Sequence, residues 1–569
     1  MDGLEAFRKR LDESLIPQLQ QSPLLAVFFT VLVLFITTRI LSGGSSSQNG
    51  SKSPPLAPYW VPYFGHAPRL FLNPSYALTR LRDRYTQGLF SIRLFGTIHS
   101  FIFQPSLAAS LLSRPSSVAD EQHAVRRLMV TNFGLSKKDL GTYDKAASEV
   151  YEVTKQHLSG SHLDAISKVL IRNLDDTSAD LVSFNSYPVD QMDWERLATA
   201  DVLETETKES IMDVGFIELV KNFVASSAVS SVFGSDFAEN FPDIWPHLWI
   251  FDEGFLALAM GTPIWVPSPN AQRARIALGR LLAFMREYHE EMEKFMSDEE
   301  PGARWQDFAS VSPLVRSRAQ VFRKHGLPVD VRAAFDVALL WSVTCSSASL
   351  ISWSLFELYQ DPILLDQIRQ EIAPFVKIEQ PNHGFGAAVW VPPEIEKLDL
   401  DALLTKCPTL QATYLETMRV YGGGWSVRHL KEDVVLKDGK ESSYVLRKGT
   451  FAHVALGLHH SDPRSFTDAR VWQAGRYLED VADEKGHKSK RLDSWTIKAP
   501  DGTLTMCDES AFALRKVLLY ISVLISLYDV EPVASTKWPN PTVVKGVATS
   551  RPWRSFRLWI KRRKVTQAK

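Results

Sequence analysis

A chain of 569 residues exceeds what one small core needs, so several domains or one large one are expected. Its 64 basic residues are balanced by 65 acidic ones, and that balance leaves no electrostatic footprint for nucleic acid, which is excluded as a partner. Cys345, Cys407 and Cys507 lie too far apart for a zinc pattern or a disulfide framework, which points to a reducing compartment and leaves open a prosthetic group that needs one protein bond.

No charge occurs between Ser14 and Thr38, and Pro23 to Thr38 (PLLAVFFTVLVLFITT) is apolar at its centre. With its flank this supplies the roughly 20 residues a bilayer core demands, so residues 1–41 are read as a segment carrying a single membrane anchor at about 22–41. No A-x-A-like cleavage site follows; GGSSSQNGSK reads as a flexible linker instead. Basic residues flank the anchor on both sides, so charge does not set its orientation. Asn49-Gly50-Ser51 is a glycosylation acceptor if that side faces a lumen.

The linker and a stiff proline collar (Pro54, Pro55, Pro58, Pro62) fill residues 42–66, ahead of a globular body over 67–569. Leu89 to Phe103 alternates around Gly96-Thr97 as a hairpin. From about Leu107 to Gln370 the pattern is mainly helical, with Arg275 to Met296 clearly amphipathic. Val329 to Pro362 is too long and apolar for a surface helix; it should cross the core and stop at Asp361-Pro362.

A helix over Cys407 to Val420 sets Glu416 and Arg419 three apart on one face, where they can pair. Short strands return near Val434 to Leu456, and Arg476 follows in an aromatic loop, SDPRSFTDARVWQAGRYL. Cys507 then lies in a loop with a turn at Asp501-Gly502, before a long buried helix. The terminal run Lys561 to Lys564 reads as a solvated tail.

This order of anchor, collar, hairpin, long helix, E-x-x-R helix, aromatic-Arg loop and cysteine resembles the cytochrome P450 family from Pro54 to about Trp559. YLETMRVYGGGWSVRHLKEDVVL, YVLRKGTFAHVALGLHHSDPRSFTDARVW and FALRKVLLYISVLISLYDVEP are similar to segments of fungal members of its steroid-hydroxylase and prostacyclin-synthase branch. The resemblance implies a mainly α fold with small β-sheets, a long central helix and a haem-side helical core, plus the transmembrane helix.

It also implies haem b, with Cys507 as the axial thiolate on iron and Arg428 reaching a propionate through its guanidinium fork. Glu416, Arg419 and Arg476 would form a structural triad, and Ser347 would serve the proton relay of the central helix. The implied partners are a membrane, an NADPH-dependent P450 reductase and a hydrophobic small molecule, with the catalytic domain on the cytosolic side of the endoplasmic reticulum.

Two places depart from the family pattern. In F-x-x-G-x-x-x-C-x-G the aromatic shields sulfur and the glycines admit backbone and haem; here Pro500, Thr503 and Glu509 stand at those positions. Glu509 adds a carboxylate beside a thiolate, which opposes its ionisation. In the central helix the acid-alcohol pair of A-G-x-D/E-T becomes Ser346-Ser347. Three functions follow: a haem-thiolate monooxygenase of a terpenoid, steroid-like or polyketide intermediate; a haem isomerase without oxygen activation; or a haem-free protein that cyclises or only binds its ligand.

Other residues read as structure. Cys345 and Cys407 should pack, Trp341 and Trp353 should lie in the core, and the adjacent His459-His460 point apart rather than chelate.

Overall fold

The computed structural model describes residues 23–564 except 44–46, 49–50, 160–161, 205–209, 381–391, 424, 438–442, 483–487, 493–509 and 547–548. The chain divides into two units, Met1–Ala124 with Ser426–His459, and Val125–Trp425 with His460–Lys569.

In the first unit, helix α1 (Pro23–Leu41) is apolar on every side, and none of Leu24–Leu41 is buried. Leu24, Val27, Phe28 and Val33 are each at least 60% exposed, a surface that suits lipid and associates the chain with a membrane. Two other helices are long and apolar enough to cross a bilayer, Phe216–Phe233 and Val329–Gln360, but both are mostly buried in protein.

The collar folds back onto the foot of α1. Ser42 Oγ donates to the Tyr59 carbonyl (3.0 Å) and accepts from its N–H (2.9 Å), and Arg39 stands over the Trp60 ring. Part of the expected linker is paired: Ser47–Gln48 lies antiparallel to Ser51–Lys52, which in turn joins the Ser443–Leu446 strand. That neighbouring strand offers partners a linear reading cannot see. The acceptor Asn49 lies outside the described residues. Removal of residues 1–41 should move the protein from the membrane to the soluble fraction without lowering its thermal midpoint, as fractionation and a melt would show.

The main sheet of this unit runs, in order, Leu89–Leu94, Thr97–Ile102, Phe451–Ala455, Trp425–Leu430 and Ala119–Asp120. Leu94 pairs with Thr97, so the expected hairpin turns on Phe95-Gly96, both at positive φ (47° and 82°). Glycine meets that demand without steric cost.

The second unit is a helical core. Its helices include α2 (Phe216–Phe233), α3 (Ile244–Ala259), α4 (Pro269–Met296), α5 (Pro313–Lys324), α6 (Val329–Gln360), α7 (Pro408–Tyr421) and α8 (Ser510–Leu527). α6 is the 32-residue axis, packed by α2, α4, α7 and α8. It ends where Asp361 leaves helical geometry and caps the next helix by accepting from the Leu364 N–H (3.0 Å). Four strands, Tyr528–Pro532, Arg557–Arg562, Ser210–Gly215 and Asp201–Glu204, form a sheet that the helical reading of 107–370 missed. Ser210–Gly215 pairs on one side with the nearby Asp201–Glu204 and on the other with Arg557–Arg562, over 340 residues away, and that second pairing leaves no local signal.

A buried ion pair sits in this core. Asp336 on α6 is fully buried, receives Arg318 Nε at 2.9 Å and lies 3.1 Å from His289 Nε2. Burial opposes its ionisation, but Arg318 and His289 outweigh burial and hold the carboxyl below its usual range. A depressed folded pKa stabilises above the ordinary carboxylate pKa, and that gain disappears as pH falls through the folded value. Asp336→Asn should cost about 3 kcal/mol near neutral pH. The gap to the parent should close in acid, which thermal melts across pH will measure.

Candidate functional site

Pro408 starts α7, and the E-x-x-R spacing places Glu416 and Arg419 on its buried face. Arg419 grips Glu416 with both prongs of its fork, Nε to Oε2 and Nη2 to Oε1, each at 2.7 Å. Glu416 Oε1 also accepts from the Gln473 N–H (2.8 Å) and from Arg476 Nε (3.2 Å). The rest of Arg419 is spent on the carbonyls of His460 (2.8 Å), Ala469 (2.6 Å) and Val471 (3.1 Å).

The Glu416 side chain is fully buried and that of Arg419 is 1% exposed, so the knot is sealed from water. Its charge-assisted bonds fasten the 460–476 segment to α7. Thr417, one residue on, extends the fastening by accepting from Ser354 of α6 (3.0 Å) and Trp472 Nε1 (3.1 Å). The carbonyls that Arg419 needs were not foreseeable from sequence, because main-chain acceptors carry no residue signature.

α6 offers a second feature. Between Ala333 and Phe356 every residue is buried except Ala338, Ser342 and Ser346. Their i, i+4, i+8 spacing puts them on one helix face, and their small side chains make it a flat wall. Ser347 lies off that face, 2% exposed, with its hydroxyl 3.2 Å from the Val343 carbonyl and 3.3 Å from that of Thr344. No carboxylate occurs in α6 between Asp336 and Glu357.

The remaining candidates are placed as follows. Arg428 belongs to the first unit; its Nη2 pairs with Glu121 (2.9 Å) and its Nη1 donates to Ser426 Oγ (2.7 Å). Cys507, Pro500, Thr503 and Glu509 lie outside the described residues. Cys345 and Cys407 are buried, and burial pushes the Cys407 thiol up to about 12 and raises that of Cys345 well above its usual range, so both are inert packing groups. Trp353 is core, stacked on Tyr421 at 4.2 Å with its indole N–H on the Ser550 carbonyl. Trp341 stacks on Phe255 and donates to Asp252 (2.8 Å). His459 and His460 end the Leu456–His460 helix, and the His460 carbonyl, not its ring, serves Arg419.

The described residues fit a planar cofactor in one respect: a flat, small-side-chain wall on an otherwise buried helix gives the close approach such a group requires.

Comparison with known proteins agrees with this architecture. The family model for cytochrome P450 matches residues 250–492, which contain α6, α7 and Arg476 and end before Cys507. Mouse cytochrome P450 7B1 is 22% identical over 89% of this chain and 89% of its own length. Human 7-alpha-hydroxycholest-4-en-3-one 12-alpha-hydroxylase is 22% identical over 88% of this chain and 91% of its own. A cytochrome P450 monooxygenase of Gibberella zeae is 26% identical over 41% of this chain, which spans 42% of that relative's length.

Proposed function

We propose, from the premise that this chain belongs to the cytochrome P450 family and is an oxidoreductase of the monooxygenase type, that it oxidises a hydrophobic small molecule of the terpenoid, steroid-like or polyketide kind in fungal secondary metabolism. The observation that supports this reading is the half-buried face of Ala338, Ser342 and Ser346, whose small side chains allow close approach to the central helix.

Cys507 would hold haem b by its thiolate, and Arg428 would turn its guanidinium to a propionate. When bound, the haem supplies dioxygen activation, which thiolate ligation favours. Glu416, Arg419 and Arg476 act as a fixed buttress, keeping the 460–476 segment on α7 so that the chain beyond it leaves from one place. Ser347 would hold or pass a proton at Oγ. α1 would anchor the protein in the endoplasmic reticulum with its body in the cytosol, where an NADPH-dependent reductase on the same membrane can deliver electrons.

The test is conversion of a panel of apolar terpenoids and steroids by the full chain with reductase, NADPH and air. Product that requires all three supports monooxygenation. A second reading is favoured by the missing carboxylate of α6: rearrangement of a peroxide needs no proton relay. Turnover without reductase or dioxygen would select it.

A further inference from the structure

Two adjacent charges enter α8, Arg515 and Lys516, and of these only Lys516 is buried. Lys516, in FALRKVLLYISVLISL, is 1% exposed. A lysine at this depth gives up the hydration of its ammonium and persists where polar groups receive it. Here Nζ donates to the main-chain carbonyl of Val343 on α6 and stands 5.1 Å from the centre of the Phe512 ring.

The same carbonyl oxygen is the one nearest the Ser347 hydroxyl. A carbonyl has two lone pairs, and in a continuous helix one of them belongs to the N–H four residues on, which is that of Ser347. The charge-assisted bond from Lys516 takes the other. Ser347 Oγ is left with two long contacts, 3.2 Å and 3.3 Å, shared between Val343 and Thr344. Other buried serines of this unit latch tightly onto the carbonyl four residues back: Ser352 at 2.8 Å, Ser227 and Ser167 at 2.7 Å. Next along the chain from Val343, the buried Thr344 hydroxyl has no hydrogen-bond partner among the described residues.

We propose that Lys516 is a positioning residue. By occupying the Val343 carbonyl it keeps the Ser347 hydroxyl unlatched, and it sets a cationic proton donor within one water's span of that hydroxyl, on a helix stretch without a carboxylate. The inference rests on the reading that Ser347 handles a proton.

The experiment compares Lys516→Met, Ser347→Ala and the double variant of the full chain. Without reference to haem, Lys516→Met should unfold no lower than the parent, because a buried charge is removed, and hydrogen exchange at the Ser347 amide should slow. A lower midpoint with faster exchange would show a mere strut and overturn the proposal. In haem-loaded protein driven by NADPH and reductase, the share of consumed dioxygen released as hydrogen peroxide should rise several-fold, by the same factor in both single variants and the double. Factors that multiply in the double would also overturn it. If the reduced, carbon-monoxide-bound form shows no thiolate band, the haem reading fails, and the melt and exchange data still decide the role of Lys516.

Discussion

Glu416→Ala is expected to be the most destabilising single substitution in this chain, at about 5 kcal/mol, the upper end for breaking a buried pair. It leaves the Arg419 guanidinium without a counter-charge at 1% exposure and also frees Arg476 and the Gln473 N–H. The loss should show as a collapsed denaturant midpoint. Arg476→Ala is the control: that side chain is 14% exposed and holds Glu416 by one 3.2 Å contact, so its removal should cost about 1 kcal/mol. Adding Arg419→Met to Glu416→Ala should recover part of the loss, since an apolar side chain replaces a stranded charge. A Glu416→Ala midpoint equal to the parent's would contradict the structural role given to the knot.

Cys507→Ala should abolish reductase-dependent oxidation while the circular dichroism of the variant matches the parent, because the substitution removes one small side chain. Measured as NADPH-linked product formation, the variant should fall to background. Cys507 stands three residues before α8 begins at Ser510, and the positive end of a helix favours an anionic sulfur nearby. Glu509 works against it by charge. Glu509→Gly should therefore raise haem retention, and an unchanged or lower retention would remove the carboxylate from the account.

Legibility of the sequence followed the range of the forces involved. The hairpin at Gly96, the span of α6 and its stop at Asp361 are set by residues within a few positions of one another, so alternation, apolar length and a proline junction were enough to read them. The sheet that holds Asp201–Glu204 and Ser210–Gly215 was hidden, because these short strands are completed by Arg557–Arg562 from the far C-terminal segment. At the candidate site, the Glu416 and Arg419 spacing was visible, but the three carbonyls that saturate Arg419 were not. Lys516 did leave a signal, a second basic residue following Arg515 into an apolar helix, which becomes meaningful once its place against Val343 is known. The half-buried face of α6 passes through Ser346, whereas Ser347, one residue on, is buried, and helical phase rather than motif spacing sets that difference.

The measurement that bears most directly on a haem-thiolate enzyme is the absorption spectrum of the purified full chain, reduced and bound to carbon monoxide, with iron determined on the same sample. The account predicts about one iron per chain and the red-shifted band of thiolate ligation, lost in Cys507→Ala. Folded, haem-supplemented protein that is free of iron, or that shows the band of a haem without a thiolate, would contradict it.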